Sequence, residues 1–413
     1  MRWFYWISLT ILLFSVFVIF SIERDGVDIR LKAASTVFNL FAKYAGMHQH
    51  PGQPIQFDRE SLALFSKKIP ENMETTGIKT LDIRIDSLPF KVSENNVTAS
   101  HPLEARLFIP NQIENKQDPL GIILWFHGGG YALGSSSDFS ADETGKAICK
   151  NNQLYVLYID YRLAPEYKFP HGLEDCYSSL YWLAHLEDGC LFNTRDSTLC
   201  SQYPPVDLKN IIVGGDSAGG NFAIGTMLLW NHRGPEHRGE DMEDFNGIQY
   251  FHDHGLHSKS KNDVKISLLV LVYPSLMPAV PTESAKRLQD TYFISRPIRN
   301  FFVNAYLPND DDEDWNDEED DESRRKKSFH VPYISALSSK LLHSLPSTIV
   351  LCAEKDPLHD ENRIFAALLE KNNVPVEIHS FDAPHGFFGF AFLDEATVAH
   401  EVIKSKIAFA LNF

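Results

Sequence analysis

Short apolar runs rich in Val, Ile and Leu recur after residue 119. Runs of this length, bounded by glycine, proline or polar residues, are typical of buried strands. The predicted strands are residues 121–126, 154–159, 208–214, 265–273, 347–353 and 376–381. The segments around them predict helices at residues 144–151, 173–186, 221–230, 290–307 and 397–411.

This alternation of strands and helices after residue 119 predicts an α/β fold. Strands joined by helices form a mostly parallel central sheet with helices on both faces. Residues 81–85 and 103–109, which come earlier, alternate apolar and polar positions and predict edge-type strands.

The N-terminal pattern is different, since residues 3–22 are almost wholly apolar. Twenty such residues in a helix match the hydrocarbon thickness of a bilayer, which is roughly 30 Å. We predict a membrane anchor at residues 1–22. A cleaved signal peptide is the alternative, although no small-residue cleavage site stands near Phe20. Arg2 favours a cytoplasmic N-terminus, which would place residues 23–413 in a lumen.

Residues 215–219 read Gly-Asp-Ser-Ala-Gly, which has the form G-x-S-x-G. They join the predicted strand 208–214 to the predicted helix 221–230, so Ser217 falls on a strand-to-helix turn. On so sharp a turn, a side chain at position 215 or 219 would collide with neighbouring backbone. The Ser217 hydroxyl would lie over the helix N-terminus, where free N–H groups favour developing negative charge. A glycine-rich turn with an incidental serine is the alternative.

A histidine and three glycines, residues 127–130, directly follow the predicted strand 121–126. Glycines after a strand let backbone N–H groups point into a cavity, as an oxyanion hole requires. His127 is a candidate base, but a histidine that opens such a loop more often braces it by hydrogen bonds. This loop and the G-x-S-x-G turn together are far more specific than either alone.

A serine nucleophile needs a base, and the base needs an orienting carboxylate. Asp356 lies just past the predicted strand 347–353, and His385 lies in the loop after the predicted strand 376–381. Because loops at strand ends carry catalytic groups, we interpret Asp356 as the acid and His385 as the base.

Other acids and bases stand close by in the sequence. Glu354 and Asp360 compete for the role of the acid, and His379 and His359 compete for the role of the base. His379 alternates inside a predicted strand, which favours a structural role for it.

These motifs occur in the order of the hormone-sensitive-lipase-like branch of the α/β-hydrolases, together with Asp-Tyr-Arg-Leu-Ala-Pro-Glu at residues 160–166. The chain resembles that branch over about residues 100–410. Its N-terminal anchor makes it most similar to the arylacetamide-deacetylase group. The resemblance implies the α/β-hydrolase fold and a helical cap, which we expect at about residues 26–75 and 275–332.

The resemblance also implies roles for particular residues. It makes Ser217 the nucleophile, with Asp356 and His385 as its partners. The N–H groups of Gly128, Gly129 and Ala218 would form the oxyanion hole. We therefore expect a membrane-anchored serine hydrolase that forms an acyl-enzyme from a small-molecule or lipid ester, with no metal or cofactor.

Two other functions are compatible with the family. A lipase at the membrane surface would differ only in acyl length. A non-catalytic binder is the rival from another class, because the gibberellin receptor resembles the same family but lacks the catalytic histidine. His385 is present here, which favours an enzyme.

The charged residues and histidines of the chain bear on its binding partners and on two insertions. The net charge of −17 argues against nucleic acid. Residues 310–322 are almost entirely acidic, and a block of like charge that repels itself is typically disordered. Residues 232–257 hold five histidines whose spacing matches no zinc site, so we favour a solvated surface loop.

The cysteines and a glycosylation sequon bear on the compartment. Cys190 and Cys200 bracket a polar insertion, and they are either a disulfide or two free thiols. A disulfide persists only in an oxidising compartment. Asn96 begins an Asn-Val-Thr sequon, which would carry a glycan in a secreted or lumenal protein. Both features would agree with the endoplasmic reticulum lumen.

The loop after the predicted strand 154–159 carries Arg162 and Glu166. We predict that they brace the fold through a salt bridge rather than contact substrate. Asp175, in the next predicted helix, is a candidate member of the same brace.

Overall fold

The structure is a computed structural model, and it describes residues 29–44, 47, 77–88, 91–93, 96–97, 101–111, 113, 118–192, 197–231, 263–277, 281–307 and 331–411. The predicted anchor at residues 1–22, the histidine-rich segment 232–257 and the acidic run 310–322 lie outside these residues. No helix in the described part of the chain is long and apolar enough to cross a membrane.

The described residues form ten strands, and helices separate the strands from residue 120 onward. The strands are β1 (Lys79–Asp86), β2 (Lys91–Ser93), β3 (Asn96–Val97), β4 (Pro102–Ile109), β5 (Leu120–Phe126), β6 (Tyr155–Asp160), β7 (Val206–Asp216), β8 (Ile266–Val272), β9 (Thr348–Lys355) and β10 (Val376–Pro384). Eight of them form one sheet in the order β1-β4-β6-β5-β7-β8-β9-β10. From β6 to β10 every neighbouring pair is parallel, which confirms the predicted α/β sheet.

The two segments that precede the parallel strands differ in position. β1 lies at an edge of the sheet, as predicted. β4 is an interior strand that pairs antiparallel with β1 on one side and with β6 on the other, so the edge prediction for residues 103–109 is wrong. Only the first residues of β4 alternate between exposed and buried, and residues 105–109 are all buried. The alternation at its start therefore misrepresents the strand as a whole.

The helices are α1 (Ile29–Tyr44), α2 (Phe139–Asn152), α3 (His171–Ala184), α4 (Ser197–Gln202), α5 (Ala218–Asn231), α6 (Glu283–Arg287), α7 (Arg296–Tyr306), α8 (His359–Lys371) and α9 (Asp394–Ala410). Single 3-10 turns lie at Glu187–Gly189, Ala336–Ser338, Leu342–Ser344 and Phe387–Gly389. The helix predicted at residues 290–307 begins only at Arg296, because Phe293 has a φ of +59° that a right-handed helix cannot contain. Pro297 in the first turn suits a helix start.

Two hydrophobic clusters cover the two faces of the sheet. On one face α3, α5 and α8 contribute apolar side chains, and on the other face α2 and α9 do so. Successive residues of a strand enter opposite clusters, as Leu124 and Trp125 of β5 illustrate. The central strands are buried on both faces, which explains their continuous apolar sequence.

Arg162, in the loop after β6, braces the fold with Asp175, as predicted, and with Glu174, which the sequence interpretation did not include. Its guanidinium donates hydrogen bonds to Asp175, at 2.9 Å, and to Glu174, at 3.1 Å. The Asp175 carboxylate is fully buried and also accepts a bond from the Arg162 main-chain N–H. The brace therefore joins the loop to the start of α3. The role of Glu166 in the brace stays a prediction.

Candidate active site

Ser217 occupies the turn between β7 and α5. Its φ of +54° is unusual for a serine, and its N–H donates to the carbonyl of Val272, the last residue of the neighbouring strand β8. A Cβ on Gly219 would lie 1.9 Å from the Phe126 carbonyl oxygen, and a Cβ on Gly215 would lie 2.4 Å from the Gly219 oxygen. Both glycines are needed because backbone occupies the space of a side chain, as the sequence predicted.

Three predicted residues meet at this turn, although they are far apart in the sequence. Nε2 of His385 lies 2.9 Å from the Ser217 hydroxyl oxygen. Nδ1 of His385 donates to Asp356, at 2.7 Å, which leaves Nε2 free to accept the serine proton. Asp356 is fully buried, and its other oxygen accepts a bond from the Leu358 N–H. The arrangement has the connectivity of a nucleophile, a base and an orienting acid.

The competing acids and bases have other surroundings. Asp360 accepts a bond from the Ser284 N–H, and His359 lies 3.4 Å from Asp360. His379 projects from the edge strand β10 toward Glu377. Glu354 is exposed near the end of β9. Burial and contact with Ser217 single out Asp356 and His385 among the alternatives.

The predicted oxyanion donors divide into two kinds. The N–H of Gly128 already donates to the Asp216 carboxylate, at 3.1 Å. The N–H groups of Gly129 and Ala218 make no hydrogen bond to any residue that the structure describes. Ala218 opens α5, where an N–H has no partner within the helix. Gly129 and Ala218 are thus available to an oxyanion, whereas Gly128 is engaged.

Asp216 is a residue whose role the sequence interpretation missed. Its carboxylate accepts hydrogen bonds from the indole N–H of Trp125, at 3.1 Å, and from Gly128. Burial raises the pKa of Asp216, and these two donors act in the opposite direction. An acidic residue inside the G-x-S-x-G sequence, at the end of a buried strand, is the signal that could have identified it. Asp216 ties the glycine loop to the turn that carries Ser217.

His127 braces the glycine loop, as predicted. Its Nδ1 donates to the Gly128 carbonyl, at 2.7 Å, and its ring stacks on Tyr161 with centroids 4.3 Å apart. The Tyr161 hydroxyl donates to the His127 carbonyl. These contacts fix the loop before any substrate is present.

The remaining predicted sites lie away from this turn. Cys190 and Cys200 form a disulfide, with their Cα atoms 5.5 Å apart. Asn96 lies in β3, and its glycosylation stays a prediction. Among the described residues no three or more His, Cys, Asp or Glu side chains are grouped as metal ligands.

Comparison with known proteins agrees with this architecture. A family profile described as "alpha/beta hydrolase fold" matches residues 123–389, which is more than half of the chain. The chain belongs to the α/β-hydrolase fold family. The residues Ser217, Asp356 and His385 of this α/β-hydrolase all fall within the matched range.

Relatives of this α/β-hydrolase fold protein include named esterases. It is 27% identical to an arylesterase of Saccharolobus solfataricus over 277 residues, which cover 67% of this chain and 69% of the relative. It is 26% identical to carboxylesterase NlhH of Mycobacterium tuberculosis over 279 residues, again 67% and 69% of the two chains.

Solved structures share the fold at lower identity. An esterase of Pyrobaculum calidifontis has a TM-score of 0.58 and 23% identity, over 91% of this chain and 92% of its own. A bacterial heroin esterase has a TM-score of 0.62 and 22% identity, over 93% and 98%. These likenesses establish the α/β-hydrolase architecture.

Proposed function

We propose that this protein is a serine carboxylic ester hydrolase in which Ser217 is the nucleophile, His385 the general base and Asp356 the orienting acid. The observation that carries the proposal is the continuous hydrogen-bond chain from Ser217 through His385 to Asp356 at a strand-to-helix turn. The names of the similar arylesterase and carboxylesterase support the same reaction class.

The first half of the reaction follows from the contacts of His385. Nε2 takes the proton of the Ser217 hydroxyl while Oγ attacks the ester carbonyl. Asp356 holds the ring through Nδ1 and stabilises the imidazolium that forms, from a site that water does not reach. The N–H groups of Gly129 and Ala218 stabilise the oxyanion, and the N-terminus of α5 adds favourable polarity.

The second half reverses the direction of proton transfer. The His385 imidazolium protonates the leaving alcohol, and an acyl group remains on Ser217. His385 then takes a proton from water, which attacks the acyl carbon, and the acid is released. No step needs a group other than these side chains, the backbone donors and water.

We extend the proposal to the finer class and to the location. The finer class that we propose is an arylacetamide-deacetylase-like enzyme that acts on esters or amides of small molecules or lipids. Residues 1–22 anchor it in a membrane, and the catalytic domain lies in the endoplasmic reticulum lumen. The apolar sequence of residues 3–22 and the sequon at Asn96 support this location. The Cys190–Cys200 disulfide is consistent with an oxidising compartment.

A serine replacement tests the reaction. Ser217→Ala should lower p-nitrophenyl acetate turnover by about 10³-fold or more, with the fold intact by circular dichroism. It should also abolish labelling by a fluorophosphonate probe. Ser405→Ala on the exposed face of α9 is the matched control. Turnover of the Ser217→Ala protein close to that of the control would refute the mechanism.

The substrate class is tested with esters of one alcohol. Rates across p-nitrophenyl esters of increasing acyl length, beside a matched anilide, separate an esterase from a lipase and from an amidase. A rate that rises to the longest chains would favour the lipase, and an anilide rate near the ester rate would favour the deacetylase.

A further inference from the structure

Glu361 is a buried carboxyl group that the proposed reaction does not use. It lies in the first turn of α8, the helix that begins three residues after Asp356, and the residue is 3% exposed. Its Oε1 accepts a hydrogen bond of 2.7 Å from the N–H of Leu276. Burying a carboxyl group costs free energy unless its oxygen atoms are hydrogen-bonded, and the Leu276 N–H supplies such a bond.

The next residue of α8 makes a complementary contact. Asn362 is fully buried, and its Nδ2 donates to the Pro274 carbonyl, at 2.7 Å. Glu361 and Asn362 therefore hold the peptide groups on either side of Ser275. Two consecutive helix residues grip one three-residue turn from both sides.

Ser275 connects this turn to the nucleophile. Its N–H donates to the Ser217 carbonyl, at 3.0 Å. Ser217 has a positive φ, so surrounding contacts must hold its backbone in a sparsely populated conformation. The same helix begins beside Asp356, whose carbonyl accepts a bond from the His359 N–H. One rigid element thus contacts the acid loop at its start and the serine turn through Ser275.

We propose that Glu361 is a positioning residue for the reaction at Ser217: as a hydrogen-bond acceptor for Leu276 it holds Ser275 beneath the Ser217 carbonyl and couples that turn to the Asp356 loop. This inference rests on the proposed function. It adds a residue that does not touch the substrate but acts through the Ser217 backbone.

The charged groups around Glu361 set its pKa, and the proposal therefore predicts how the rate of hydrolysis depends on pH. Burial raises the pKa of Glu361 to about 8, the Leu276 N–H opposes this shift, Asp356 adds to it, and Arg299 on α7 opposes it. The buried Tyr131 also faces the carboxyl from the glycine loop. Glu361 is therefore neutral at pH 7 and ionises as the pH rises through about 8. Its ionisation puts a second buried charge near Asp356. This charge favours opening of the contact between Glu361 and Leu276, so that water can reach the carboxylate.

The test compares two replacements of Glu361 with a control on the same helix. Glu361→Gln keeps an acceptor of the same size but cannot ionise, and Glu361→Leu fills the space without an acceptor. Glu370→Leu, at an exposed position of α8, is the control. The assay is p-nitrophenyl butyrate hydrolysis from pH 6.5 to 9.5, with fluorophosphonate labelling of Ser217 and circular dichroism for each protein.

We expect the Leu variant to lose kcat by about tenfold to a hundredfold with little change in KM, as for a lost buried hydrogen bond. The Gln variant should match the wild-type kcat at pH 7 and lack the decline that we expect of the wild type above about pH 8. The control should behave as wild type throughout.

Three outcomes would overturn the inference: a Leu variant with wild-type kcat, a Gln variant as impaired as the Leu variant, or a Gln variant that keeps the alkaline decline. If the Leu protein does not fold, the pH profile of the Gln variant still decides. A wild-type protein without hydrolysis or labelling would instead refute the proposed function.

Discussion

Replacement of Arg162 by methionine should destabilise the protein far more than replacement of an exposed arginine with a similar partner. The Arg162 side chain is 14% exposed, and the Asp175 side chain that it contacts is 0% exposed. Its guanidinium is the main charged partner of that carboxylate, with Nε and Nη2 each 2.9 Å from an oxygen. Without it, Asp175 keeps the main-chain N–H of residue 162 and His101 at 3.2 Å. Removing one partner of a buried pair leaves an uncompensated charge and costs about 3–5 kcal/mol.

Arg84→Met is the matched control for this prediction. Arg84 lies 2.6 Å from Glu104, and the two side chains are 65% and 53% exposed. An exposed pair contributes only about 0.2–1 kcal/mol, because solvent screens it. Urea unfolding followed by tryptophan fluorescence measures both variants in one buffer. Equal losses of unfolding free energy in the two variants would refute the argument that burial decides the strength of the pair.

Three further predictions concern a glycine, a buried carboxyl group and the disulfide. Gly219→Ala should lower stability by about 3 kcal/mol and abolish hydrolysis, because its Cβ would meet backbone oxygen at 1.9 Å. Gly225→Ala, whose Cβ would have its nearest contact with the end of the Leu173 side chain at 2.9 Å, should be tolerated in the same thermal-melting assay. The unfolding free energy of Glu361→Gln should rise relative to that of the wild type by about 1.4 kcal/mol per pH unit between pH 4.5 and about 8, because in this range only the folded wild type keeps the proton. A difference between the urea midpoints of the two proteins that is the same at pH 5 and at pH 8 would contradict this. Reduction of the Cys190–Cys200 disulfide, whose cysteines are 10 residues apart, should cost about 3 kcal/mol, and an unchanged melting temperature with dithiothreitol would contradict this.

The sequence by itself determined the α/β class, the order of the parallel strands along the chain and the serine turn. These features depend on local rules. A strand buried on both faces needs a continuous apolar run, and a turn with no room for a Cβ needs glycine at residues 215 and 219. Their positions after predicted strands, together with the family resemblance, made Asp356 and His385 the candidate partners, and the structure brings both beside Ser217.

Tertiary structure alone decided features that depend on what packs against a segment. The strand at residues 102–109 is interior because β6 covers its second side, and no alternation within the strand reveals its neighbours. Likewise, Gly128 has a partner because the Asp216 carboxylate lies 3.1 Å from its N–H. The residues 128 and 216 meet only when β5 and β7 pair, so their contact depends on strand pairing.

The role of Glu361 is a property of the folded state for the same reason. In the sequence it is one of several acids after Asp356, and nothing in their spacing separates it from Asp360. Folding buries Glu361 against the Leu276 N–H and leaves Asp360 partly exposed at its contact with Ser284. A carboxyl group acquires its protonation state from its surroundings, and those surroundings come from α7, α8 and the turn after β8 together. Local sequence specifies the elements, and their packing determines which polar groups are buried and what each one contacts.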